Sequence, residues 1–321
     1  MTCFTEVLEH IAPRQTDPFA FIGDSLMPQQ RIFGGQVVAQ CLMAANQTVE
    51  PELNAHSLHA YFLRAGDPSI PIDFEVDPIR DGRSFSTRRV VARQKGEAIF
   101  NTSISYHCAE EGVSHCFTMP EIPAPRSKAD DLSGFRGFTT KPGDPNLIDL
   151  YQIERQRVTE YLAEEQPPLG RSWFRAVGPL PDDRAMHQAA LVMISDYSLL
   201  STVFYPHPFS NPIKHFMAAS LDHAIWFHHR GRMDDWVLYD CDSPRAGGGR
   251  GFSRGFLWSQ DGSLLASPAQ ESLMRVKRRS FTTVWSISPR SIQCQRSPST
   301  RRWCTDPLAG KHWSTSSSPL M

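Results

Sequence analysis

The strongest constraint on this chain is that it repeats itself. Arg83-Ser-Phe-Ser86 is followed by Gln94-Lys-Gly96, and later in the chain Arg250-Gly-Phe-Ser253 is followed by Gln260-Asp-Gly262. The order of elements around each pair also repeats: an apolar helix-like run, a long alternating strand, a strand ending in Asp-x-Pro or Asp-Ser-Pro, a glycine turn, then two more strands. Two copies of one α+β unit account for that order. With 321 residues and 40% apolar content, the chain is long enough to give each copy a core of its own.

In the first copy, Gly35 to Val49 reads GQVVAQCLMAANQTV, which leaves almost no polar face. A helix apolar on nearly all sides must be wrapped, and the neighbouring sequence supplies strands to do it. Leu58, Ala60 and Phe62 alternate with polar residues, as do Ile72, Phe74 and Val76, and Phe100, Thr102, Ile104 and Tyr106. In the second copy Pro181-Asp-Asp183 precedes a helix through Met186, Met193 and Ile194 to Leu200. Strands are expected around Trp173–Val177, His215–His228, Trp236–Asp242, Gly251–Gln260 and Leu264–Val276. The organisation expected is a first unit at 1–118, a connector at 119–168, a second unit at 169–278 and an atypical tail at 279–321. The connector opens on the proline-rich Met119–Pro125 and holds an amphipathic helix near Leu147–Leu162. The serine-rich tail, with Asp306 as its single acid, has no sustained period and cannot build a core.

Charge and cysteine narrow the chemistry. A formal net charge of -1 gives no electrostatic footprint for nucleic acid. Seven scattered cysteines, odd in number and never spaced Cys-x-x-Cys, point to a reducing compartment and not to a zinc site. The N-terminus carries Glu6 and Glu9 and lacks the pattern of a secretory signal, and no run approaches the ~18 apolar residues of a membrane span. The expectation is a soluble intracellular protein.

Several motifs invite chemistry. Gly23-Asp-Ser-Leu26 is the nucleophile signature of one class of serine esterase, but its Asp-x-x-His partner is missing from the C-terminal half, and no Gly-x-Ser-x-Gly elbow occurs. His223, His228 and His229 raise the question of a metal. Strand alternation puts His223 and His228 on opposite faces with no third ligand placed, so packing or exposure is the reading preferred. The glycine run Gly247–Gly249, with Arg245, Arg250 and Arg254, reads as a hairpin needing positive φ whose guanidinium groups could meet phosphate. Without a phosphate-loop Lys-Ser/Thr it is not a nucleoside triphosphate site. Finally, Asp196, Ser220 and Gln270 are polar residues set in otherwise apolar runs. A buried carboxylate needs partners, and a hydroxyl and an amide on neighbouring strands are suitable ones.

These three residues, together with Arg31-Ile-Phe-Gly-Gly-Gln-Val-Val-Ala-Gln40, His56-Ser-Leu-His-Ala-Tyr-Phe-Leu-Arg64, Arg80-Asp-Gly-Arg-Ser-Phe-Ser86, Asp222-His-Ala-Ile-Trp-Phe-His228 and Ala269-Gln-Glu271, resemble the acyl-CoA thioesterase II family from Arg31 to Lys277. The resemblance implies a double hot-dog fold, with two antiparallel sheets each wrapped around a central apolar helix. It implies an acyl-CoA substrate and a hydrolytic water bound by an Asp on the second helix, a Ser or Thr on the next strand and a Gln on the last. Those are Asp196, Ser220 and Gln270. It implies no cofactor and no metal. Arg245, Arg250 and Arg254 are the candidates for the CoA phosphates. Such chemistry needs a positioned water, a proton acceptor and donors for the oxyanion, without a covalent nucleophile.

Two other functions remain open at this point: a hot-dog enoyl-thioester hydratase or dehydratase, which would need a His-Asp pair in the pocket, and a non-catalytic acyl-CoA binder. Pro268 in the last strand implies an edge or a bulge beside Gln270. Gln270 occupies the place that Ile104 holds in the first copy, which casts the first copy as scaffold and pocket wall. Fused units can pair again into homo-oligomers. Peroxisomal members of the family end in a Ser-Lys-Leu type address, which Ser318-Pro-Leu-Met321 is not, so peroxisomal matrix and cytoplasm both stay open.

Overall fold

The computed structural model describes residues 3–26, 30–125, 147–159, 162, 164–209, 212–277, 295–296 and 302–303. Its first apolar run is helix α2 (Gly34–Asn46), preceded by helix α1 (Phe4–Ile11) and strands β1 (Arg14–Asp17) and β2 (Ala20–Gly23). Ten of the thirteen residues of α2 are buried. Four strands wrap it: β3 (Leu53–Phe62), β4 (Ile72–Asp81), β5 (Phe85–Gln94) and β6 (Glu97–Cys108). The alternating apolar residues Leu58, Phe74, Phe100 and Ile104 all point inward and are essentially inaccessible.

The second half repeats the plan. Strands β7 (Ile153–Arg157) and β8 (Leu169–Ala176) lead to helix α4 (Arg184–Thr202), and β9 (Phe216–Ser220), β10 (Asp222–Phe227), β11 (Val237–Gly247), β12 (Arg250–Ser259) and β13 (Leu264–Val276) enclose it. Asp183 caps α4 by accepting the Ala185 N–H at 2.8 Å, an interaction worth about 1 kcal/mol. Both halves place a bulge at the proline strand, between Asp77 and Arg80 on β4 and between Asp242 and Arg245 on β11. Both turn back through a positive-φ glycine, Gly96 (φ 79) and Gly262 (φ 87).

The strand order is β1-β2-β4-β5-β6-β3-β10-β13-β12-β11-β8-β7, with β9 also on β13. The two half-sheets join edge to edge, from Asp222 opposite Tyr61 to Trp226 opposite Ser57, so the wrappings around α2 and α4 form one continuous antiparallel sheet of 13 strands. This is the double hot-dog arrangement that the resemblance implies.

Several expectations need correction. Phe85 opens β5 as Arg250 opens β12, so the structural partner of Arg250 is Phe85 and not Arg83. The Arg-x-Phe-Ser match is thus slipped by two residues, a shift that keeps every side chain on its own face and so escapes a period-2 pattern. The helix expected at Leu147–Leu162 is a single turn, α3 (Leu147–Leu150). Gln152, at φ 53, then redirects the chain into β7, which adds an edge to β8. The strand expected at His215–His228 is divided into a helical turn α5 (Pro212–His215), β9 and β10. Pro268 lies neither at an edge nor at a bulge: β10 and β12 flank β13, and Pro268 faces Ile225 in an unshifted run.

The unit boundaries are crossed by packing. The inward stripe of α1 (Phe4, Val7, Leu8, Ile11) is fully buried, and the Phe4 N–H donates to Val177 O at 2.9 Å, which ties the N-terminus to the second half. In the connector, Met119 and Ile122 lie against Trp173, Leu238 and Trp258, while the Trp173 indole donates to Pro123 O at 3.0 Å. The rest of the connector at 126–146 lies outside the described residues, as does the 279–321 tail apart from the two-residue ladder β14 (Gln295–Arg296) and β15 (Arg302–Trp303). Among the described residues no helix is long and apolar enough to cross a membrane.

Candidate functional site

Asp196 sits in the middle of α4, on a helix whose apolar neighbours Val192, Met193, Ile194 and Leu199 are buried on every side. Its nearest polar partners come from two strands. Ser220, the last residue of β9, donates its hydroxyl to Asp196 Oδ1 at 3.3 Å. Gln270, facing inward from β13 and 1% exposed, donates from Nε2 to Ser220 Oγ at 2.9 Å and to Ser272 Oγ at 3.3 Å. The structure therefore brings together all three residues singled out from the sequence.

Electrostatics make Asp196 unusual. Burial pushes its carboxyl up to about 7, against the opposing effects of the Ser220 hydroxyl and the Gly35 N–H, both of which donate to it. A carboxylate poised there can take a proton from water near neutral pH and release it again. Gly35 belongs to the first half. The N-terminus of α2 abuts the middle of α4, where a Cβ on Gly35 would collide with Met193 O and one on Gly34 would stand 2.6 Å from Asp196 Oδ2. Two consecutive glycines let a helix N-terminus come up against the carboxylate. The first copy is more than scaffold: it supplies a backbone donor, the Gly35 N–H, to Asp196.

Sequence reasoning sets His223 aside, yet the structure puts it in the same cluster. His223 is 1% exposed, with Nε2 2.9 Å from Ser195 Oγ and Nδ1 3.0 Å from Gln270 Oε1. Simple alternation places residues 220 and 223 on opposite faces, but β9 and β10 do not share one register on β13. Ser220 faces Ser272 whereas Ala224 faces Ala269, so one residue is bulged out at Leu221 and His223 turns inward. The Asp222 carboxylate, which accepts the Glu271 N–H at 2.6 Å, fixes that kink. Asp-His following Ser-Leu is the available signal, readable only with the bulge in hand. A hydratase would need a histidine with a nitrogen open to substrate. Here both ring nitrogens are engaged, and neither contacts Asp196.

The other candidates lie apart from this cluster. Ser25, in the Gly-Asp-Ser-Leu segment, accepts the Gln36 amide at 3.0 Å as part of a buried network with Gln40 and Tyr151. Ser253 and Gln270 face each other on the inner face, so Arg250 and Arg254 on the same strand project from the outer face. There Arg250 pairs with Glu271 and Arg254 with Asp242, each at 2.9 Å. Among the described residues no ion pair engages Arg245, which lies exposed beside the hairpin turn of Gly248 (φ 59) and Gly249 (φ 75).

Comparison with known proteins agrees with the fold. Residues 148–274 match the family described as Acyl-CoA thioesterase, and residues 23–107 match the Acyl-CoA thioesterase N-terminal domain. The chain is 40% identical over 268 residues to acyl-coenzyme A thioesterase 8 of Homo sapiens, covering 78% of this chain and 82% of the relative. It is 36% identical over 267 residues to acyl-CoA thioesterase 2 of Haemophilus influenzae, covering 81% and 93%. The crystal structure of an acyl-CoA thioesterase II from Mycobacterium marinum resembles it with a TM-score of 0.71 and 37% identity, over 85% of this chain and 99% of that one.

Proposed function

Because the chain belongs to the acyl-CoA thioesterase II family and is a thioester hydrolase acting on acyl-CoA, we propose that Asp196, Ser220 and Gln270 hold and activate the attacking water. The observation that carries this reading is the convergence of a carboxylate, a hydroxyl and an amide from α4, β9 and β13, linked at 3.3 and 2.9 Å around a carboxyl held at about 7. Asp196 accepts a proton from the water as its oxygen bonds to the thioester carbonyl carbon. Ser220 and Gln270 direct the water's lone pairs toward that carbon. The positive end of the α2 dipole favours the negative charge that develops on the thioester oxygen as the water adds. The C–S bond breaks, the CoA thiolate takes up the proton that Asp196 accepted, and the carboxylic acid and CoA leave with the carboxylate restored. The acceptor role needs Asp196 ionised, so kcat/KM rises with pH through about 7.

The reading extends to the substrate's far end only through Arg245, since Arg250 and Arg254 already have carboxylate partners. An acyl-CoA substrate also places the enzyme inside the cell, where CoA thioesters are made. Release of free thiol from acyl-CoAs tests the assignment: Asp196→Asn and Gln270→Ala should each lower kcat about 100- to 1,000-fold in folded protein. Near-normal turnover in either variant would sink it.

A further inference from the structure

His223 has no part in the water-binding trio, but it holds two of the elements on which the trio depends. Its Nε2 meets Ser195, the residue preceding Asp196 on α4, and its Nδ1 meets the amide oxygen of Gln270 on β13. A glutamine amide is nearly symmetric in shape and opposite in polarity at its two ends, so packing alone does not choose its orientation. The choice here falls to proton inventory. Burial pushes His223 down to about 4, so near neutral pH the ring carries a single N–H.

With that proton on Nδ1 the contacts run in one direction, the Ser195 hydroxyl turning to Nε2 from Val192 O, 2.7 Å away, a carbonyl inside α4 that keeps its helical N–H partner. Ser195 Oγ–H donates to Nε2 and Nδ1–H donates to Gln270 Oε1. Gln270 Nε2 donates to Ser220 Oγ, and Ser220 Oγ–H donates to the Asp196 carboxylate. With the proton on Nε2, the amide must turn over to donate to Nδ1. Ser220 is then left between two acceptors, Gln270 Oε1 and ionised Asp196, with one proton to share. That shortage falls on the Gln270 carbonyl and a full charge, neither with a helical partner to spare, which disfavours the arrangement while Asp196 is ionised.

We infer that His223 is a positioning residue that holds the Gln270 amide with its NH2 group toward Ser220. The inference rests on the reading of Gln270 as a water-holding group. It places on β10 a determinant of the reaction that touches neither water nor substrate.

Two measurements test it. In wild-type protein with 15N-labelled histidine at pH 8.5, long-range 1H–15N correlation should show His223 as the neutral tautomer with pyrrole-type Nδ1 and pyridine-type Nε2. The reverse tautomer, or a doubly protonated ring, overturns the inference without any variant having to fold. The second measurement is a double-mutant cycle. His223→Leu should lower kcat about 10- to 100-fold, with KM within about twofold of wild type, because a misaimed group costs rate more than binding. His223→Gln, whose NH2 can still donate toward Gln270, should recover part of that loss. In a Gln270→Ala background, His223→Leu should lower kcat no further. If the two losses multiply instead, His223 acts through general packing and the inference fails. An inactive Gln270→Ala beside a fully active His223→Leu overturns the role of His223 alone, whereas a fully active Gln270→Ala removes the water-binding reading and this inference with it.

Discussion

Replacing Asp196 by asparagine should make the protein more stable as it makes it inactive, and the gain should depend on pH. Burial raises the Asp196 carboxyl from 3.8 to about 7. A tenfold change in acidity corresponds to about 1.4 kcal/mol, so a rise of that size makes the ionised carboxylate cost the native state about 4 kcal/mol. The direction follows from the protons bound. Between pH 4 and pH 7 the folded chain holds a proton that the unfolded chain has released, so stability falls as pH rises across that window and levels off above it. From pH 5 to pH 8 the loss attributable to this group is about 3 kcal/mol. Asparagine has no such titration. Its Oδ1 can accept the Gly35 N–H, and the Ser220 hydroxyl can rotate to accept from its NH2, so the mismatch left behind costs about 1 kcal/mol or less. Urea unfolding followed by tryptophan fluorescence, run on both proteins at pH 5 and pH 8, gives the difference directly, because every other titrating group cancels. Asp196→Asn should gain about 3 kcal/mol relative to wild type between the two pH values. An equal gap at both would mean that the carboxyl is not held protonated by burial, and the argument for its role as an acceptor near neutral pH would lose its electrostatic basis.

Gly35→Ala should destabilise the fold by about 2 to 3 kcal/mol, since the new methyl meets the Met193 carbonyl on a rigid helix and cannot be relieved by a side-chain rotation. Its midpoint in the same urea titration would show this, and a shift below about 0.5 kcal/mol would contradict the close crossing of α2 and α4. Arg245→Ala should raise KM for acyl-CoA about 5- to 20-fold while leaving the KM for the matching acyl-pantetheine unchanged, because only the former carries the nucleotide phosphates. Equal KM changes for the two substrates would remove Arg245 from the substrate's path.

The parts of this molecule that are local in the chain are legible in its sequence. The unbroken apolar run of α2, the Asp183 cap of α4 and the Lys95-Gly96 and Asp261-Gly262 turns each declare themselves within a few residues. The three polar residues proposed for the site stand out in apolar runs as groups that demand partners, but the pattern serves a structural network equally well, and only the family resemblance points it toward catalysis. What escapes depends on two segments at once. β7 reads as a helix because its amphipathic spacing does not reveal that β8 waits beside it. Strict alternation assigns His223 a face, and it fails at Leu221, where β13 pairs with β9 and β10 in different registers. The Gly34-Gly35 approach to Asp196 joins opposite halves of the chain, and neither segment contains any trace of the other. Even the repeat misleads in detail, since a slip of two residues preserves every inward and outward position.

The seam between β3 and β10 governs how the two copies could grow apart. Separated, each would present a border of unpaired backbone donors and acceptors to any passing strand, so each copy shields the other from aggregation. A one-residue change of register along that border would turn one copy's side chains inside out. Interior positions are under no such mutual obligation, and there Ile104 and Gln270, equivalent places in the two sheets, have become a packing residue and a hydrogen-bonding one. A duplicated chain of this design is conservative along its middle and inventive within its folds.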